Sequence, residues 1–189
     1  MTEPLMMKQI IDVPTGKIEV GNEKMILKTS AIGSCVVISV SSVKKKVGAL
    51  AHIMLPGKAP DSNSFEKTKY AADAIDEILK KIVSFGVDIK DIEVCLVGGA
   101  NILKRTDDAT GKNNIDSTIE ILMERKIMIK AQAVGGTARR SVSFDIEKGC
   151  IFYTEGDEDK GLLWQREAER RPYTVKNRPQ EDRAVAVGK

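Results

Sequence analysis

Apolar and polar positions alternate with period two in several short segments, the pattern of strands with one buried face. Lys17 to Val20 and Met25 to Thr29 read as two short strands around a turn at Gly21-Asn22. Val36 to Val40 is a β-branched run and Val47 to Leu55 a second apolar stretch. The polar segment Ser41 to Lys46 lies between them, so the two predict a hairpin, which Pro56-Gly57 closes. Ile92 to Val97 is continuously apolar and ends in Gly98-Gly99, as expected of a strand buried on both faces. Ile127, Ile129, Ala131 and Ala133 alternate up to Gly135-Gly136. Val142, Phe144 and Ile146 alternate again, and Glu147-Lys148-Gly149 turns the chain into Cys150 to Thr154, a second hairpin.

Two segments switch to helical spacing. Ala71, Ala74, Ile75, Ile78, Leu79, Ile82 and Val83 form one stripe, with Lys67, Asp73, Asp76, Glu77 and Lys80 around it. Asn63 with Glu66 suggests a capping box at its start, and Gly86 a stop at its end. Ile115, Ile119, Leu122 and Met123 predict a second amphipathic helix, capped by Asn113 or Asn114. From Glu155 the pattern fades. The last 35 residues hold eight basic and eight acidic side chains and two prolines, Pro172 and Pro179. Leu162, Leu163 and Trp164 alone offer surface to dock on the body. The expected architecture is α/β: a single-domain sandwich of mostly antiparallel strands with two amphipathic helices over residues 1–155. A charged tail over 156–189, solvated and disordered in character, follows.

Composition narrows the function classes. The chain has 189 residues, 42% hydrophobic and 30% charged, enough for one domain with a substantial core. Thirty basic against 27 acidic side chains leave a net charge of +3, and aromatics are 4%, so no basic, aromatic-bearing stripe marks a nucleic-acid partner. The first 14 residues lack a signal-peptide core, and no run approaches the ~20 apolar residues of a membrane span. Cys35, Cys95 and Cys150 are odd in number, without CxxC spacing, and His52 is the sole histidine. Neither a disulfide framework nor a zinc site is expected, and reduced thiols in the cytoplasm are.

The candidate chemistry lies where the first hairpin begins. Cys35 follows Gly33-Ser34 and precedes a strand, and His52 lies on the partner strand. Such a hairpin brings residues at this separation side by side, where an imidazole can lower a thiol's pKa and later protonate a leaving amine. Thr29, six residues before the cysteine, is placed to orient the imidazole. Singly, each has a plainer reading: a cysteine beside valines is ordinarily a small buried hydrophobe, a histidine between Ala51 and Ile53 a satisfied core residue, and Thr29 a strand residue. Cys95 and Cys150 fall inside apolar strand patterns and read as structural. Gly98, Gly99 and Asn101 border the site or merely form a turn. For Gly135-Gly136 the turn is favoured.

The ordered set Thr29…Gly33-Ser34-Cys35, then Gly48-x-x-x-His52-x-x-Leu55-Pro56, resembles the chemoreceptor glutamine deamidase family, CheD. So do Tyr70 to Ile75, Gly98-Gly99-Ala100-Asn101, Val134 to Arg140, Phe144-Asp145 and Gly149; together the likeness spans residues 15–154. One departure is the segment Thr110 to Asn114, where the family usually has an arginine before the asparagine. The resemblance implies Cys35 as nucleophile, His52 as acid-base and Thr29 as orienting residue, with backbone near Gly33, Ser34 and Cys35 holding the oxyanion. It implies hydrolysis of glutamine side-chain amides on methyl-accepting chemoreceptors, no cofactor or metal, and a CheC-type phosphatase as a regulatory partner. A catalytically weak interaction protein that binds receptors or that phosphatase is the alternative. A thiol redox sensor is disfavoured by the lack of a nearby resolving cysteine.

Overall fold

The computed structural model describes residues 7–62 and 65–165. Among the described residues, ten strands and two α-helices follow in chain order: β1 Gln9–Asp12, β2 Ile18–Asn22, β3 Met25–Ile32, β4 Val36–Ser42, β5 Val47–Ile53, α1 Ala71–Ser84, β6 Glu93–Gly98, α2 Thr110–Glu124, β7 Ile129–Val134, β8 Arg140–Asp145, β9 Cys150–Glu155 and β10 Gly161–Trp164. They form two five-stranded sheets, β1-β3-β8-β9-β10 and β2-β5-β4-β6-β7. Only β1 with β3 and β6 with β7 pair in parallel; the rest are antiparallel. This is the expected α/β sandwich. Among the described residues no helix is long and apolar enough to cross a membrane.

The layers follow from the alternation. Val36, Ile38, Val40, Ala49, Ala51 and Ile53 face α1 and α2, while Val37 and Leu50 face the other sheet and meet Leu27, Ile32, Val142, Phe144 and Ile151. The hairpin β4–β5 is therefore buried on both faces, which explains its unbroken apolar run. Gly48 lets the sheets close: a Cβ there would lie 2.3 Å from the Phe144 ring.

Several local expectations shift. Gly21-Asn22 end β2 rather than forming a turn, and β2 and β3 run into different sheets. Helix α1 starts at Ala71 after a 3-10 turn at Lys67–Lys69, and Glu66 pairs with Lys69 at 2.6 Å instead of completing a capping box. Asn63 lies outside the described residues. Gly86, at φ +76°, is the predicted stop. Helix α2 begins at Thr110, so Asn113 and Asn114 are interior, and its buried face is Gly111, Asn114, Thr118, Ile121 and Leu122 while Met123 is exposed. The parallel strand β1 has no alternating signal strong enough to predict it. Leu162 to Trp164, assigned to the tail, form β10 against β9, and the Trp164 indole N–H donates to Glu93 at 3.1 Å. The remainder of the predicted tail, 166–189, lies outside the described residues.

Candidate active site

The site grows out of the β4–β5 ladder. Val37 stands opposite His52, and Cys35 precedes Val37 by two on the same face. Cys35 and His52 are thus diagonal neighbours across the pair, a relation that separates residues by roughly 7–8 Å. Both belong to the side that faces the first sheet, where Cys35 packs against the core around Val37 and Leu50. The backbone of His52 is fixed on its other edge as well: its N–H donates to Lys17 O at 3.1 Å, and its carbonyl accepts from Gly16 N at 2.7 Å.

Thr29 reaches the imidazole from the facing sheet. It follows Leu27 on the inward face of β3, is 2% exposed, and places Oγ1 2.9 Å from His52 Nδ1. Just beyond it the β3–β8 register slips, and Ala31 takes a left-handed conformation at φ +56°. The resulting bulge returns Ile32 to the interior and aims the chain at Gly33-Ser34-Cys35. A bulge of this kind leaves no reliable trace in residue type.

The Gly33-Ser34-Cys35 loop is held by its carbonyls. Gly33 O accepts from Ala100 N at 2.8 Å and Cys35 O from Gly99 N at 2.7 Å. Ser34 O accepts from the Asn114 side chain at 2.9 Å. Gly98 must be glycine: at φ +124°, its Cβ would lie 2.2 Å from Cys35 O. Gly99 passes under α2, and Gly111 allows the approach, since a Cβ on Gly111 would lie 2.4 Å from Gly99 O. Gly33, Ser34, Gly98 and Gly99 therefore converge on Cys35. Asn101 does not: its side chain bonds the backbone of Arg105, and its N–H donates to Gly136 O. Asn114 does converge, though the sequence marked it as a helix cap and as part of the Thr110 to Asn114 segment that departs from the family pattern, not as a site residue. An open hollow of about 430 Å³, lined by Ala31, Ile102 and Arg139 among others, adjoins the loop through Ile102, which packs over Gly33.

Burial sets the protonation. It lowers the His52 pKa from its ordinary 6.5, partly opposed by the nearby Val13 backbone and Asp12 carboxylate. Burial likewise pushes the half-buried Cys35 thiol above its ordinary value, partly offset by its own backbone N–H. In both groups burial favours the neutral form, a direction opposite to the lowered thiol pKa expected from the sequence. His52 Nε2 is buried and makes no hydrogen bond among the described residues. Cys95 and Cys150 are buried in β6 and β9, and burial raises the Cys95 thiol to about 12. Among the described residues, no three His, Cys, Asp or Glu side chains converge as metal ligands would.

The site thus sets a half-buried thiol and a buried imidazole, tied through Nδ1 to Thr29, in a two-sheet α/β sandwich. Comparison with known proteins specifies it further. The model of the family described as CheD chemotactic sensory transduction matches residues 54–155. A probable chemoreceptor glutamine deamidase CheD of Methanococcus vannielii is 32% identical over 155 residues, covering 81% of this chain and 99% of that protein. One from Chlorobium luteolum is 31% identical over 150 residues, 79% of this chain and 75% of that protein. The chemoreceptor glutamine deamidase CheD of Thermotoga maritima is 29% identical, over 77% and 90%. The chain belongs to the CheD family. Thr29, Cys35 and His52 lie ahead of the segment matched by the family model.

Proposed function

We propose that this chain is a chemoreceptor glutamine deamidase of the cytoplasm that uses Cys35, His52 and Thr29 as a triad through a thioester intermediate. The observation that carries the reading is the buried imidazole, tied through Nδ1 to Thr29 and unpartnered at Nε2, diagonal to a thiol. With Nδ1–H donating to Thr29 Oγ1, Nε2 carries a lone pair and serves as base.

In the first half-reaction Cys35 Sγ bonds to the amide carbon as its proton passes to Nε2. Each trans peptide directs its N–H opposite to the preceding carbonyl. Carbonyls of Gly33 and Ser34 tied to Ala100 and Asn114 therefore favour outward N–H groups on Ser34 and Cys35, which hold the oxyanion. Collapse breaks the C–N bond, and imidazolium gives its proton to the departing ammonia. Water then adds to the thioester, its proton taken by Nε2; the C–S bond breaks, the thiol regains a proton, and glutamate remains.

Gly98 and Gly99 line the site by gripping the loop, and Asn101 acts at most on the neighbouring turn. The protein substrates are methyl-accepting chemoreceptors, and a CheC-type phosphatase is the regulatory partner that the family likeness adds. Cys35→Ala tests the assignment: receptor fragments should stop gaining the mass of amide-to-acid conversion while far-UV circular dichroism stays native. Continued conversion would remove Cys35 from the mechanism. Receptor binding without conversion by the unsubstituted protein would favour an interaction protein.

A further inference from the structure

Asn114 is wholly buried on α2, and its amide is shared between two segments, the Cys35 loop and the end of the His52 strand. Nδ2 donates to Ser34 O at 2.9 Å, one residue before Cys35, and to Met54 O at 3.0 Å, two residues after His52. The two acceptors fix the amide's orientation, since only the NH2 end can serve both carbonyls. Beyond Ile53 the β4–β5 ladder has ended, and the register stops at Val36 opposite Ile53. The amide therefore replaces the next rung. It closes the mouth of the hairpin where the thiol and imidazole sit, and Gly111, packed on Gly99, lets α2 come close enough to do so.

We infer that Asn114 is a positioning residue that ties the Cys35 loop to the His52 strand and so sets the thiol–imidazole geometry of the reaction. This rests on the deamidase reading, and it deepens that reading by assigning α2 a part in the site. Without the amide, Ser34 and Met54 carbonyls lose their donor and the loop separates from the strand. The thiol then becomes more exposed and less well aimed. Turnover should fall while Cys35 alone becomes more reactive toward a small reagent, whereas general destabilisation would expose the buried Cys95 and Cys150 as well.

The test compares full-length Asn114→Leu, which keeps side-chain bulk without a donor, and Asn114→Ala, with Thr118→Val as control. Thr118 is equally buried one turn along the same helix face. Deamidation of receptor fragments is followed by mass spectrometry, and iodoacetamide labelling is mapped to each cysteine across pH. Both Asn114 variants should lose about 10–100-fold in kcat with KM nearly unchanged. Cys35 should label faster, with its pH midpoint moved down, while Cys95 and Cys150 stay protected. Thr118→Val should change neither. The inference is overturned by kcat within twofold of the parent, by an equal loss in Thr118→Val, or by labelling of all three cysteines together. Should the parent fail to deamidate any receptor, the functional reading falls, yet the labelling arm still decides whether Asn114 holds the loop.

Discussion

Burial of His52 favours its neutral form, and its Nδ1 lies 2.9 Å from Thr29 Oγ1. In the proposed mechanism the imidazole takes the Cys35 proton as the thiol attacks, since burial disfavours both charges of an ion pair beforehand. Two outcomes follow at this scale. Alkylation of Cys35 in the folded protein should rise at a higher pH than that of a free thiol, because a raised pKa shrinks the thiolate fraction near neutrality. A midpoint below the free-thiol value would restore the ion-pair picture. For His52 the folded pKa is depressed, so the unfolded chain binds the extra proton between the two values. The stability linked to it is complete above 6.5 and drains as pH falls from there through the folded value. Urea unfolding should show this loss in the parent protein and less of it in His52→Gln; identical profiles would contradict it.

At the scale of elements, the Gly98-Gly99 corner of β6 supports the Cys35 backbone. Gly98→Ala places a methyl 2.2 Å from Cys35 O in a backbone conformation that L-residues rarely adopt. It should destabilise the fold by roughly 1–3 kcal/mol in thermal unfolding and reduce turnover more than that loss explains. Retention of full activity would place Gly98 outside the site. These elements also show what a sequence discloses. The hairpin β4–β5, the strand β6 and the helix α1 were legible because alternation, a buried run and a 3.6-residue stripe each reflect one burial pattern. The bulge at Ser30-Ala31 was not, because it arises from register between distant strands. The start of α2 was misplaced because Asn113 and Asn114 look like caps, and only tertiary contact with Ser34 and Met54 makes Asn114 interior. Strand β1 draws its pairing from β3 rather than from a pattern of its own.

For the whole molecule, the two sheets divide the labour: the second carries thiol and imidazole, the first supplies Thr29, and α2 covers the loop from the opposite side. Sheet-to-sheet closeness is thus a condition of the Thr29–His52 contact. Gly48→Ala, far along β5, would force its methyl against Phe144 at 2.3 Å and push the sheets apart. It should lower the melting temperature and weaken the Thr29–His52 bond, seen as an altered imidazole resonance; an unchanged resonance would show the sheets to be independent. The β10 flap closes the far edge, and Trp164→Ala, which removes the bond to Glu93, should lower stability by about 1–3 kcal/mol without changing turnover. The most direct test of the central claim is mass spectrometry of chemoreceptor cytoplasmic fragments after incubation with the parent protein and with Cys35→Ala. Conversion of specific glutamines to glutamate by the parent alone is the predicted result; no conversion by the parent, or equal conversion by both, would contradict it.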